Sequence, residues 1–434
     1  MSTVAPGEAE TAPSIHPDRD AVLGEAQARL APPVAQDTDV AMIACVGGSQ
    51  TIERALLAEL SQLHGQPYAR GEQRQATIVT PHWSLSWERH TEFSRYVLVR
   101  PARTEPMPAL FDPLPPGWVA RLPGQRLVMV LVRCRGKGDQ ADLPTPDASG
   151  EGLAMSVVND GLATAWSRFQ PEPTGEVVFE VRDRGVPAPR RGRLVRRLLD
   201  IETYRLMALL AFPMARRAWP EIDTMDRELG RLLAILSKAR DADRDDERSL
   251  ADLMALAGQL EALRAEVAYR FGAARAYYGL VQQRLDELKE QRVDGFQRFG
   301  PYLLRRLAPA MDTCETANRR IAELGERVNR AGDMLRTRVD IALEQQNRSL
   351  LQSMDKRATM QLRLQQAVEG LSVVAISYYS TGLVKFLFDA LHAAGLLPVD
   401  PAMATGVAMI GVIAAVVLGL RRVRKTLDDK AAAL

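Results

Sequence analysis

VEGLSVVAISYYSTGLVKFLFDA, residues 368–390, is the stretch on which the reading of this chain turns. It is mostly apolar, yet it carries serines, tyrosines and Lys385. Only 15 residues between Glu369 and Lys385 are free of charge, fewer than the roughly 20 a helix needs to cross about 30 Å of hydrocarbon. By itself the stretch fits a core helix, an interfacial helix, or a span whose Lys385 snorkels to the far headgroups. A second run settles more. AMATGVAMIGVIAAVVLGL, Ala402 to Leu420, is 19 residues without a charge, and RRVRK follows at once. That is a full span with a basic stop, which belongs on the cytoplasmic side.

The flanks decide between the readings of the first run. Lys356, Arg357 and Arg363 precede it, and Arg421, Arg422, Arg424 and Lys425 follow the second run. The turn between them, DALHAAGLLPVDPAM, holds Asp389 and Asp400 and no Lys or Arg. Two crossings satisfy the positive-inside rule, whereas one would leave RRVRK outside. The pattern therefore predicts a transmembrane hairpin over 366–425, with both chain ends cytoplasmic. Ser377, Tyr378, Ser380, Thr381 and Lys385 then need a face away from lipid.

The rest of the chain is polar. Of 434 residues a quarter are charged, and the formal net charge is +2. That offers no basic excess for nucleic acid and confines any membrane part to a small share of the chain. The cysteines Cys45, Cys134 and Cys314 are far apart and lack paired spacing. They fit a reducing compartment and argue against a disulfide framework or structural zinc. The opening residues have neither a basic nor an apolar region of the kind a signal peptide carries, and 1–14 reads as a disordered lead.

Residues 15–185 read as a mixed α/β cytoplasmic domain. VAMIACV (40–46), ATIVT (76–80), SRYVLVR (94–100), LVMVLVRC (127–134) and EVVFEV (176–181) are strand-like. TIERALLAELSQLHG has a helical period ending at Gly65, and HPDRDAVLGEAQARL is a second expected helix. QADLPTPDASGEG reads as a loop. Over 190–365 the apolar period shifts to heptads. Ile222, Met225, Leu229, Leu232 and Leu236 step by threes and fours, as do Leu253, Leu256, Leu260, Leu263 and Val267, and Ile321, Leu324, Val328, Ala331 and Leu335. These are the seams of packed or coiled helices, a helical bundle or stalk. KARDADRDDERS (238–249) reads as a polar hinge. No proline separates Pro309 from Pro398, so one helix is expected to run from about 310 into the first apolar stretch.

Several passages resemble one bacterial family of membrane-anchored proteins, catalogued as domain of unknown function 3422. They are WERHTEFSRY (87–96), RRLLDIETYRLMALLAFPMAR (196–216), YRFGAARAYYGLVQQRLDELKEQRV (269–293), LRTRVDIALEQQNRSLLQSMDKRA (335–358) and LRLQQAVEGLSVVAISYYSTGLV (362–384). The resemblance spans His16 to Lys425 and implies a membrane anchor without an assigned activity. Where the family reads E-V-H-A-R-P, this chain has Glu25-Ala26-Gln27-Ala28-Arg29-Leu30, without the histidine and proline. The order of parts also looks like that of CorA-type ion channels, which are oligomers with the first crossing at the pore. Those channels carry Gly-Met-Asn after that crossing; here the region reads Ser380-Thr381-Gly382-Leu383. A ring of Lys385 would repel cations and favour anions.

Two sets of residues carry possible chemistry. Glu88, His90 and Glu92 alternate, and on an extended strand all three would share a face, where they could hold a divalent metal or move protons. The plainer reading is an ion-paired strand face. Ser377, Ser380, Thr381 and Lys385 are the pore-lining candidates, against a reading of ordinary helix–helix hydrogen bonding. Trp83 and Trp87 read as the buried face of the same strand, and Tyr204, Tyr269, Tyr277 and Tyr278 as core. No phosphate loop, nucleophile elbow or zinc motif is present. Three functions follow: an oligomeric membrane protein conducting or transporting a small ion, a non-conducting membrane-tethered scaffold, and a membrane-anchored metal-dependent enzyme. The first is preferred, with the bilayer and further copies of the chain as partners and no resident cofactor.

Overall fold

The computed structural model describes residues 16–19, 31–66, 74–102, 110–136, 143–144, 152–238, 245–396 and 398–431. The lead over 1–14, Glu25 to Leu30, most of the helix expected from His16, most of the QADLPTPDASGEG loop and the middle of the polar hinge lie outside those residues. The chain divides into two compact units, Met1–Lys238 with Ala251–Gly332, and Ala239–Leu250 with Asp333–Leu434.

The first unit is built on a nine-stranded sheet in the order β2-β3-β4-β1-β5-β8-β7-β6-β9. Its central strands are β1 (Thr38–Val46), β4 (Phe93–Pro101), β5 (Gln125–Arg135) and β8 (Val177–Asp183). β1 pairs antiparallel with β4 and β5, and β5 runs parallel to β8. β1 is apolar on both faces because both are covered. Val40, Met42 and Ala44 enter one core, and Ala41, Ile43 and Cys45 the other. Hydrophobic alternation alone would have left one face wet.

A single helix, α1 (Gln50–Leu63), covers the second face over the β2–β5 half of the sheet, using Leu56, Leu57 and Leu60. It ends where the sequence places its stop, at Gly65 with φ +63°. The opposite face carries α2 (Ala188–Leu209), α3 (Ala211–Lys238), α4 (Asp245–Glu287) and the first part of α5 (Phe299–Ala393). The heptad residues Ile222, Leu229, Leu256, Leu260, Ile321, Leu324 and Val328 are all buried there and share one apolar core with the sheet. Stacked helix seams and sheet therefore form a single unit through Gly332.

Strands β2 (Gln75–Val79), β3 (Ser84–Arg89), β6 (Ala154–Val158), β7 (Ala163–Pro171) and β9 (Gln291–Arg292) complete the sheet. β9 is two residues long and β7 interrupts its aromatics with Ala, Ser and Arg, so their local signal is weak; pairing supplies what local sequence does not.

The second unit holds the remainder of α5 and α6 (Pro401–Ala431). Each contains a stretch long and apolar enough to cross a membrane. Their apolar side chains are largely uncovered, with Leu371, Phe386, Val407 and Ile410 each more than 70% exposed.

Candidate functional site

The WERHTEF segment does not stay extended. β3 stops at Arg89 and β4 starts at Phe93, and the His90 N–H donates to the Phe93 carbonyl at 2.8 Å to close a hairpin. The expectation of one strand face shared by Glu88, His90 and Glu92 is thereby corrected: His90 and Glu92 sit in the turn. The strand period still sorts β3. Leu85 and Trp87 enter the core under α1, with Trp83 beside them, while Glu88 faces α2.

Guanidinium groups take both carboxylates. Glu88 accepts from Arg95 Nη2 at 2.5 Å and from both Arg196 nitrogens at 3.0 and 3.1 Å, with His90 Nε2 at 3.6 Å. Glu92 is held by Arg270 through two bonds of 3.0 Å. The neighbouring arginines are engaged elsewhere: Arg89 bonds the fully buried Glu53 at 2.8 Å, and Arg100 bonds Asp112. Among the described residues, no group of three His, Cys, Asp or Glu side chains is placed to hold a metal.

The hairpin is instead the start of a buried ion chain. Arg95, 2% exposed, bridges Glu88 to Asp200 of α2 at 2.6 Å. Asp200 also accepts from Arg284 of α4 at 3.1 Å; Arg284 reaches Glu287 at 2.7 Å, and Glu287 accepts from Arg197 of α2 at 3.2 Å. Charge thus ties the sheet to two helices. Arginine stays protonated in proteins, so this chain fixes positions and does not relay protons. Burial by itself would raise the Glu88 carboxyl, but the nearby His90 and the Arg95 and Arg196 charges hold it well below the usual range. Burial likewise works against the Arg95 cation, and Asp200 and Glu88 more than reverse that, raising it.

A pH dependence follows. A carboxyl lowered by folding stabilises the fold fully above its unfolded value, 4.5, and loses that contribution as pH falls toward its folded value. Thermal unfolding followed from pH 7 to pH 3 is expected to show a steeper acid loss in the wild type than in Glu88→Gln. Equal slopes would remove Glu88 from the acid response.

The tyrosines divide. Tyr204 is buried and stacks on Tyr277 at 5.8 Å, and Tyr278 is half-buried. Tyr269 is 65% exposed on the surface of α4, against the core expectation, with its hydroxyl toward Glu92. All three cysteines are free and buried. Burial pushes the thiols of Cys45 and Cys314 up to about 11 and that of Cys134 up to about 12, which leaves them inert near neutrality.

In the second unit, Ser377, Thr381 and Lys385 follow one another at four-residue steps on α5, a spacing that places them on one helix face. Thr405, Met409 and Ile413 of α6 do the same opposite them, and the two rows line a groove of about 840 Å³. Ser377 is 8% exposed and its Oγ has no hydrogen-bond partner among the described residues. Lys385 is exposed at the groove edge. Ser380 is half-buried and does not line the groove. Three of the four polar candidates are thus brought together. Thr405 is a fourth polar member that sequence reading passed over, since a lone threonine in an apolar run carries no signal.

An α/β unit with helices on both sheet faces, a 95-residue helix leading out of it and a second apolar helix beyond define a two-part chain with a conspicuous apolar end. The family described as Protein of unknown function (DUF3422) matches residues 14–427. The chain belongs to that family. No curated protein and no solved structure matches it, so the likeness to CorA-type channels rests on the order of parts alone.

Proposed function

We propose that this is an inner-membrane protein of bacteria. Its two apolar helices cross the bilayer as a hairpin, its α/β unit lies in the cytoplasm, and several copies assemble so that Ser377, Thr381 and Lys385 border a water-filled path for small anions. The observation that carries the reading is the α5–α6 groove: a buried, unpartnered Ser377 Oγ and a lysine in the middle of apolar surface. In hydrocarbon an unsatisfied hydroxyl and an ammonium are both costly, and such residues turn toward water or toward each other. Further copies around the groove would supply that setting, and a lysine ring would favour anions. The basic residues flanking both runs and the uncharged-to-acidic turn support the orientation.

A second reading, a non-conducting tether, has its own support. Leu343, Leu350, Met354 and Leu364 recur in heptad steps on α5 ahead of the first apolar run and are all more than half exposed. Such a row suits helix partners outside the bilayer.

Mass photometry of the full chain in detergent is expected to show an oligomer; a monomer would end the pore reading. In liposomes, the wild type is expected to pass chloride in preference to potassium, and Lys385→Ala to lose that preference. An oligomer that passes neither ion in either form would favour the tether.

A further inference from the structure

A second cleft lies in the α/β unit, on the half of the sheet that α1 leaves uncovered. Along β8, Val177, Phe179 and Val181 enter the core, and Glu176, Val178 and Glu180 fall on the open side with Arg133 of β5 and Trp166 of β7. These residues line a space of about 470 Å³, within the range of small-molecule sites. Beside the cleft, β7 is irregular. Its register with β8 shifts between Ser167 and Pro171, and Phe169 adopts φ +53°, a conformation uncommon for a bulky side chain. That strain delivers the Phe169 ring to an aromatic core with Phe179, Phe299 and Tyr302. Strain of this kind concentrates at ligand sites.

Three charges in the cleft are unmatched among the described residues: the buried Glu176, the exposed Arg168 and, at the exposed rim, Glu172. Glu176 is 4% exposed, and its Oε2 is enclosed without a donor among the described residues. A buried carboxylate oxygen with no partner is costly, so it calls for a donor from outside. Arg168 is exposed, and no described carboxylate pairs with it. Arg133 does not fill the gap, since it bonds Glu180 at 2.8 Å. Trp166 and Val178 give the cleft an apolar wall.

We infer that this cleft binds a small amino-acid-type zwitterion: its ammonium donates to Glu176, its carboxylate meets Arg168, and its side chain lies against Trp166. No step of the membrane reading is needed for this site, which belongs to the other unit of the chain.

The test is calorimetric titration of the detergent-solubilised full chain with L-leucine, L-methionine and L-phenylalanine, each compared with its amide and with its deaminated acid. At least one amino acid is expected to bind. Its amide and its deaminated acid are each expected to bind at least tenfold more weakly, as is the amino acid itself to Glu176→Gln and to Arg168→Met. Arg168 is at the surface, so its variant reports even if Glu176→Gln unfolds. The inference is overturned if none of the three binds, if an amide or deaminated acid binds as well as its parent, or if the amino acid binds Arg168→Met as tightly as wild type.

Discussion

Arg95→Met is expected to destabilise the sheet-bearing unit by about 3–5 kcal/mol, the usual cost of stranding buried charge. Arg95 sits between Glu88 at 2.5 Å and Asp200 at 2.6 Å, and water does not reach it. Methionine matches much of its volume but none of its donors. Glu88 would keep Arg196, and Asp200 would keep Arg284. Those partners are only partly buried, so the loss belongs at the lower end of the range. Arg95→Lys is expected to fall between, because an ammonium keeps the charge but cannot reach two carboxylates with a planar fork. Adding Asp200→Asn to Arg95→Met should recover part of the loss, since one of the stranded charges goes with it. Urea unfolding of the full chain, followed by near-ultraviolet circular dichroism, reads all of these. A cost below about 1 kcal/mol for Arg95→Met would show that the ion chain is dispensable for stability.

Ile410→Asp combined with Val412→Asp should move the C-terminus across the membrane. Each carboxylate at the centre of a span costs about 2.5–3.5 kcal/mol, while each aliphatic residue contributes only a few tenths. The second run is rich in Ala and Gly, so two such changes exceed what its remaining Val, Ile and Leu offset. With the second crossing lost and the first retained, the tail would stay on the outer side. A C-terminal phosphatase fusion, inactive in the cytoplasm, is expected to be silent on the wild type and active on the double variant. A fusion already active on the wild type would refute the hairpin, and with it the proposed path along Ser377, Thr381 and Lys385. A fusion silent on both would mean the second run never needed to cross.

Which parts of this were legible in the residues depended on the range of the forces involved. The strands at 40–46, 94–100 and 127–134, the helix ending at Gly65 and the heptads of α3 to α5 all follow from side-chain periods over a few turns. Such periods record the partition between water and core, which each segment expresses locally. β7 and β9 leave little mark at that range because neighbours hold them, whereas β6, with Val157 and Val158, carries a short strand signal that sequence reading passed over. The hairpin at His90 was misjudged for a related reason: three alternating polar residues fit a strand equally well until the turn hydrogen bond to Phe93 is seen.

Sequence alone determined the two long apolar runs, the basic flanks about an uncharged-to-acidic turn, the heptad helices and the family to which the chain belongs. Tertiary structure decided what each charge faces. Glu88 meets Arg196 across 108 residues of chain and Glu92 meets Arg270 across 178, while the enclosed Glu176 Oε2 has no partner among the described residues. Electrostatic partners are chosen by distance in space, and two residues so far apart in sequence carry no local mark of their meeting.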